Sequence, residues 1–239
     1  MTPSPERGRR STIAAVLFDA DHTLLDFDRA QRAALRIALK SRRLPFAAGV
    51  LARYRRINDE LWERYRRGAV AQADLGPERF RRLLQHMGAS PRGAASLGRT
   101  FLDALARRGD LLPGCRRTLA SLRRRFRLGV VTNGYDRVQR SRLRAAGLAR
   151  LFDVVVTSEA CGFAKPDPRI LGVALGALGL RPAEAVYVGD DAANDGGAAS
   201  AAGVRFVWID GGARLPRGVR RPWRRVGSLE ELREVLEGL

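Results

Sequence analysis

The feature that most restricts the fold of this chain is the regular alternation of short apolar segments with helical segments over its C-terminal half. Such alternation is typical of parallel strands that are joined by helical crossovers. A similar apolar segment near the N-terminus ends in an acid. The predicted strands are Ile13–Asp19, Leu128–Thr132, Val154–Thr157, Ala185–Gly189 and Val204–Ile209. The sequence therefore predicts an α/β fold with a Rossmann-like, doubly wound parallel sheet as its core.

The segment between the first two predicted strands shows helical periodicity only. Its predicted helices are Gln31–Ser41, Ala47–Arg66, Pro77–His86 and Ser96–Arg107. Because this helical block interrupts the strand-helix alternation, we interpret it as an insertion into the core. We expect a flexible tail at residues 1–12, a catalytic core at residues 13–27 and 110–239, and a helical cap at residues 28–109.

The chain of 239 residues carries a formal net charge of +19, from 44 basic and 25 acidic residues. A charge of this size suggests a polyanionic partner. However, only Lys40 and Lys165 are lysines, and the arginines are scattered along the chain. A codon bias toward arginine explains this pattern, so we do not expect nucleic acid as a partner. The positive field would still favour small anionic substrates.

Three features predict a cytoplasmic protein without a membrane partner, and we expect a monomer or a homodimer, a choice that the sequence does not decide. No apolar run approaches the roughly 20 residues that a membrane span needs, and no secretory signal is recognisable at the N-terminus. Cys115 and Cys161 have neither disulfide-motif nor metal-binding spacing, which fits a reducing compartment.

Acids and a hydroxyl-amide pair follow three separate predicted strands. Ligands of doubly wound sheets bind outside the carboxyl ends of the strands, so these side chains are expected at one site. Asp19 and Asp21 would share a face of extended chain, and their repulsion would be relieved by a divalent cation. Ligands that are all oxygens, without a His or Cys cluster, favour Mg²⁺. The candidate residues are Asp19, Asp21, Thr132, Asn133, Gly134, Asp190 and Asp195.

Four segments resemble, in order, the four motifs of the haloacid dehalogenase superfamily. Residues 18–25 (FDADHTLL) are similar to its DxDxT motif, and residues 132–134 (TNG) to its second motif. Lys165 resembles the third motif, and residues 189–195 (GDDAAND) the fourth. The resemblance runs from about residue 13 to the end of the chain. The inserted helices resemble the C1-type cap of that superfamily.

This resemblance implies a role for each matched residue in phosphoryl transfer. Asp19 would be the nucleophile that forms an aspartyl-phosphate. Asp21 would protonate the leaving oxygen and then deprotonate the attacking water. The Asp19 carboxylate, the Asp21 backbone carbonyl and the Asp190 carboxylate would bind Mg²⁺.

The remaining matched residues would bind phosphate or balance charge. Thr132 would hydrogen-bond the phosphoryl group beside the backbone amides of Asn133 and Gly134, and Asp195 would support Lys165 or a metal-bound water. Lys165 would balance the charges of nucleophile and phosphate. A lysine is also unexpected in so arginine-rich a chain, and a compact ammonium suits a crowded charge centre better than a guanidinium does.

The acid at position 21 favours a phosphatase over a dehalogenase, because dehalogenating members of the superfamily lack an acid at this position. Three departures from the superfamily pattern are His22, Asp191 and the pair Gly196-Gly197. The roles of His22 and Asp191 stay open: His22 would line the cap entrance or be solvated, and Asp191 would cap a turn.

Within the superfamily, the chain is most similar to the bacterial noncanonical pyrimidine nucleotidases, which are 5′-nucleotidases. The residues that carry this likeness are residues 18–28, the cap segment 57–68 with its Asn-x-x-Leu-Trp-x-x-Tyr pattern, residues 132–135, Gln139 and Arg142. Trp62 or Tyr65 would stack on a base or face the interior of the cap. We therefore expect hydrolysis of a small phosphorylated substrate, a nucleoside 5′-monophosphate.

Two alternatives remain open at this point. One is a phosphatase for phosphoglycolate or another small sugar phosphate. The other is a catalytically idle fold that binds nucleic acid, which would show steep salt-dependent binding without turnover.

Overall fold

The structure is a computed structural model that describes residues 12–238. Within these residues, six strands form one sheet in the order β3-β2-β1-β4-β5-β6, and all neighbours are parallel. The strands are β1 (Ala15–Phe18), β2 (Arg127–Thr132), β3 (Val154–Thr157), β4 (Ala185–Gly189), β5 (Arg205–Ile209) and β6 (Arg224–Val226). This order confirms the predicted doubly wound α/β fold, and it reverses direction between β1 and β4.

Along the described chain, a first group of four helices follows β1, and a second group of six begins with the helix that leads into β2. The first group is α1 (Phe27–Ser41), α2 (Val50–Arg66), α3 (Gln72–His86) and α4 (Ala94–Ala106). The second group is α5 (Cys115–Leu122), α6 (Asp136–Ala145), α7 (Ser158–Cys161), α8 (Arg169–Leu178), α9 (Asn194–Ala202) and α10 (Leu229–Glu237).

The central strand β1 is buried on both faces because helices cover both sides of the sheet. Val16 and Phe18 pack in a core with α5 and α10. Ala15 and Leu17 point to the opposite face and pack with α8 and α9. Alternate residues of a strand face opposite sides of a sheet, so a strand buried on both faces is apolar throughout. This explains why β1 was recognisable from sequence as a continuous apolar run.

Helices α1 to α4 pack around a hydrophobic core of their own. Its centre is formed by Tyr54, Phe80 and Phe101, whose ring centroids lie 5.3 to 5.7 Å apart. Full burial of one such side chain contributes on the order of 1.5–3 kcal/mol. From this separate core we propose that residues 28–109 form the cap predicted from sequence.

The structure differs from the sequence prediction mainly at element ends. Helix α1 begins four residues earlier than predicted because the Asp26 side chain accepts a hydrogen bond from the Arg29 amide at 2.9 Å and caps the helix. Helix α3 begins before Pro77, which lies inside it. Strand β6 was not predicted, since a three-residue edge strand with two arginines lacks an apolar pattern.

The tail predicted at residues 1–12 lies outside the described residues except for Thr12. Within the part of the chain that the structure describes, no helix combines the length and apolar character needed to span a bilayer.

Candidate active site

The site lies where the strand order reverses, at the carboxyl ends of three adjacent strands. Strand β1 pairs with both β2 and β4, and Phe18 is in register with Val130 on one side and Val188 on the other. Asp19 follows Phe18 directly. This position is where doubly wound sheets bind ligands, and the side chains that follow these three strands meet here.

A buried lysine stands at the centre of the site. The Lys165 ammonium donates to Asp19 Oδ1 at 2.5 Å, to Asp195 Oδ1 at 2.7 Å and to the Tyr187 hydroxyl at 2.9 Å. Burial alone would lower the pKa of Lys165, but the adjacent Asp19 and Asp195 carboxylates outweigh it and hold this pKa well above its usual value. Lys165 is therefore a permanent cation here.

Backbone contacts fix where this lysine sits. The Asn133 side chain accepts from the Lys165 amide at 2.8 Å and donates to the Lys165 carbonyl at 3.0 Å. Asn133 follows β2, so this pair of bonds ties the lysine loop to the end of that strand. Asp195, at the start of α9, lies so close to Gly189 that a Cβ at position 189 would be 2.1 Å from its Oδ2. Glycine at this strand end thus lets Asp195 reach the lysine.

Three carboxylates of the site could hold a metal ion together. One oxygen each of Asp19, Asp190 and Asp195 lie within 4.8 Å of one another. Burial raises the pKa of Asp19 well above its usual value, and burial with the nearby Asp195 raises the pKa of Asp190 to about 7. Three acids face the single cation of Lys165, so two negative charges stay unbalanced when all are ionised. A site that is lined by oxygen atoms and carries two excess negative charges fits a divalent cation such as Mg²⁺.

The Asp21 carboxylate has partners of its own on helix α6. Its Oδ2 accepts from Gln139 Nε2 at 2.8 Å, and its Oδ1 forms an ion pair with Arg142. Gln139 also donates to Thr132 Oγ1 at 3.1 Å. Gln139 and Arg142 lie three positions apart on one face of α6. The helix after β2 therefore orients both the Asp21 carboxylate and the Thr132 hydroxyl.

A cavity of about 250 Å³ connects this centre to the four-helix unit. All eight residues predicted for the site line it: Asp19, Asp21, Thr132, Asn133, Gly134, Lys165, Asp190 and Asp195. The helical side contributes the half-buried Trp62, whose ring meets Tyr135 edge to face at 6.0 Å.

The structure also locates the residues whose roles were left open. His22 is exposed, lines the cavity and has a positive φ of 61°. Asp191 accepts from the Ala193 and Asn194 amides at 3.0 and 2.9 Å, which is the turn-capping arrangement. The Tyr65 hydroxyl lies within hydrogen-bond distance of Gln72 Oε1 at 3.1 Å and of Ser158 Oγ at 3.3 Å, so it links the four-helix unit to the core.

A sequence model of haloacid dehalogenase-like hydrolases matches residues 13–203. The chain belongs to the haloacid dehalogenase-like hydrolase family. Phosphoserine phosphatase of Thermus thermophilus is 40% identical over 180 residues, which are 73% of this chain and 72% of that protein. Pyrimidine 5′-nucleotidase YjjG of Escherichia coli is 32% identical over 223 residues, covering 92% of this chain and 96% of that protein. With such relatives over most of its length, this member of the family is a phosphatase.

A solved structure shows the same fold. The HAD-hydrolase YfnB of Bacillus subtilis, crystallised with bound magnesium, superimposes with a TM-score of 0.87 at 27% identity. The match covers 94% of this chain and 99% of that one. The fold and family predicted from the four sequence motifs are thereby confirmed.

Sequence reasoning did not assign site roles to three residues of this hydrolase. Tyr187 accepts from Lys165 and lies 3.1 Å from Asp195 Oδ1, yet in the sequence it is one residue of an apolar strand. Gln139 and Arg142 contributed only to the resemblance. Their i, i+3 spacing signals a shared helix face, but only the fold shows that this face meets Asp21.

Proposed function

We propose that this phosphatase hydrolyses nucleoside 5′-monophosphates through a phosphoryl-enzyme intermediate on Asp19. The observation that supports it best is the direct contact of Asp19 with the buried Lys165 ammonium in the lining of the cavity. A carboxylate beside a fixed cation can approach an anionic phosphate with less repulsion.

In the first step, the free Asp19 oxygen attacks phosphorus, an Asp19–phosphorus bond forms and the ester bond to the leaving oxygen breaks. Asp21 gives its proton to the leaving oxygen. In the second step, Asp21 takes a proton from water, and the resulting hydroxide releases inorganic phosphate from Asp19. Gln139 and Arg142 hold the Asp21 carboxylate for both transfers.

Other chain groups bind the phosphoryl oxygens. The Thr132 hydroxyl accepts from Gln139 and from the Gly134 amide, which leaves its proton free to donate to phosphate. The Asn133 backbone amide lies next to it along the chain. Lys165 neutralises charge that accumulates on Asp19 and the transferred group.

We propose Mg²⁺ as the cofactor, held by the Asp19 and Asp190 carboxylates and the Asp21 backbone carbonyl. When bound, Mg²⁺ neutralises phosphate charge and orients the ester for attack. Asp195, whose oxygens accept from Lys165, Tyr187 and the Asp191 amide, would hold Lys165 in place.

The nucleotide assignment is supported by the helical wall of the cavity. Trp62 and Tyr135 present aromatic surface against which a base can pack. The relatives that match most of the chain's length include a protein named pyrimidine 5′-nucleotidase. A small phosphate ester such as phosphoserine is the second candidate, favoured by the 40% identical phosphoserine phosphatase.

The idle nucleic-acid binder has less support. Several surface arginines are paired with acids on their own helices, including Arg66 with Glu63, Arg81 with Glu78 and Arg140 with Asp136. Guanidinium groups that are paired in this way are less available to a nucleic-acid phosphate, although the net charge of the chain stays at +19.

A phosphate-release assay with a panel of esters tests the proposal. We expect kcat/KM for cytidine and uridine 5′-monophosphate to exceed that for phosphoserine, phosphoglycolate and ribose 5-phosphate by at least about tenfold, which corresponds to about 1.4 kcal/mol. Chelation should abolish turnover, and added Mg²⁺ should restore it. Efficient cleavage of small esters with no release from any nucleotide would overturn the substrate assignment.

A further inference from the structure

The four-helix unit places a buried cation without an acidic partner against the active-site cavity. Arg79 of α3 is only 3% exposed and lines the cavity. Its Nη1 donates to the Tyr54 hydroxyl at 3.1 Å, and the Tyr135 hydroxyl also lies beside the guanidinium. Within residues 12–238 its Nε and Nη2 have no hydrogen-bond partner.

Among the described residues no acid forms an ion pair with Arg79, although Asp59 lines the same cavity. The Arg79 guanidinium lies 5.8 Å from the ring centroid of Tyr54 and 6.0 Å from that of Phe101. Burial raises the pKa of Tyr54 to about 12, and it also raises the pKa of Tyr135. Both phenols are therefore neutral at physiological pH. A buried charge that lacks a partner is costly, so this arrangement is incomplete until an acceptor enters the cavity.

Asn58 of α2 offers the complementary half of a binding site. It is 6% exposed and lines the same cavity. Its Nδ2 donates to Asp59 Oδ1 at 3.2 Å, whereas its Oδ1 has no hydrogen-bond partner. The cavity wall thus holds a free fork of N–H donors and a free acceptor, both buried and both on the cap side.

We propose that Arg79 and Asn58 are specificity-determining residues that bind the end of the substrate opposite to the phosphate. Nε and Nη2 of Arg79 donate to two neighbouring acceptors of a planar group, and Asn58 Oδ1 accepts an N–H from the same molecule. This inference rests on the proposed phosphatase function of the site, because the phosphate anchors the other end.

Two substrate sources offer this chemistry. A cytosine base has adjacent O2 and N3 acceptors and an exocyclic N–H. Phosphoserine has a carboxylate, which matches an arginine fork, and an ammonium group for Asn58. The guanidinium of Arg79 can donate to either pair of acceptors. Each candidate substrate is therefore compared with a similar phosphate ester that lacks the acceptors. Ribose 5-phosphate is the control for cytidine 5′-monophosphate, and phosphoethanolamine is the control for phosphoserine.

The test compares Arg79→Met with Arg81→Met. Arg81 lies on the same helix, but it is exposed and pairs with Glu78. We expect Arg79→Met to lower kcat/KM for cytidine 5′-monophosphate or for phosphoserine by about 10- to 100-fold, the range for hydrogen bonds to a charged group. The loss for the matched ester without the acceptors should be at least tenfold smaller. Arg81→Met should leave all four substrates unchanged.

Binding is measured separately from turnover, by calorimetry on Asp19→Asn with and without Arg79→Met. If Arg79→Met lowers the affinity only for the acceptor-bearing ligand, the proposal is supported. This holds even if the wild-type protein does not hydrolyse that ligand, because the missing hydrolysis counts against the proposed function alone. An equal loss for all four esters would reduce Arg79 to a structural residue and overturn the proposal. Binding by Asp19→Asn with Arg79 intact that shows no preference for acceptor-bearing esters would overturn it as well.

Discussion

Replacing Asp19 by asparagine is expected to lower kcat by about 10⁴- to 10⁶-fold, the loss seen when a covalent nucleophile is removed. An amide cannot displace the ester oxygen, whereas the side chain keeps its shape. The measurement is phosphate release at saturating substrate and Mg²⁺.

The same variant should stay folded. Burial already disfavours the Asp19 charge, as its raised pKa indicates, and Lys165 keeps Asp195 and Tyr187 as partners. We expect the unfolding midpoint to stay within about 4 °C of wild type, the shift that about 1 kcal/mol causes in a chain of this size. Asp74→Asn, at an exposed position of α3, is the matched control. Turnover by Asp19→Asn within tenfold of wild type would refute the nucleophile assignment.

Replacing Lys165 by methionine should damage both activity and stability. Removing a fixed cation from a transition-state site costs on the order of 10²- to 10³-fold in kcat. Because Asp19 and Asp195 would lose the cation between them, the free energy of unfolding should fall by about 3–5 kcal/mol, the usual cost of breaking a buried ion pair. Phosphate release and urea denaturation measure the two effects.

The chain supplies its own control for this substitution. Lys40, the other lysine, is exposed in the last turn of α1, so Lys40→Met should change neither quantity. Lys165→Arg should also lose activity, since a guanidinium cannot fit the space in which one ammonium meets three partners within 3 Å. An active Lys165→Arg enzyme would show that charge alone suffices there.

The sequence predicted the sheet and the acidic edge of the site because both depend on local patterns. An apolar run that ends in Asp19 or Asp190 is visible without knowledge of the fold, since parallel strands deliver their ends to one edge. The helical insertion was visible for the same reason, as a loss of strand pattern between β1 and β2.

Contacts between distant elements were not predictable in this way. In the sequence, Arg142 is one of many arginines, and nothing near it indicates a contact with Asp21. The folded position of α6 beside the end of β1 brings the two side chains together. Arg79 is equally inconspicuous in the sequence, because nothing local distinguishes its buried guanidinium from the exposed one at position 81 or the half-buried one at position 82. Tyr187 lies in an apolar strand, so the sequence gives no sign of a role in the site. Its ring packs in the core, and its hydroxyl contacts Lys165.

Mass spectrometry of the acid-quenched Asp21→Asn enzyme tests the central claim most directly. This variant lacks both the proton donor of the first step and the group that activates water, so the substrate is p-nitrophenyl phosphate, whose leaving group departs without a proton. With Mg²⁺ present, the phosphoryl group should then accumulate on the enzyme. We predict one phosphoryl group on the peptide that contains Asp19, located at that residue and absent from Asp19→Asn. A phosphoryl group on His22 or Thr132, or phosphate release by wild-type enzyme with no phosphorylated protein in either form, would contradict the account.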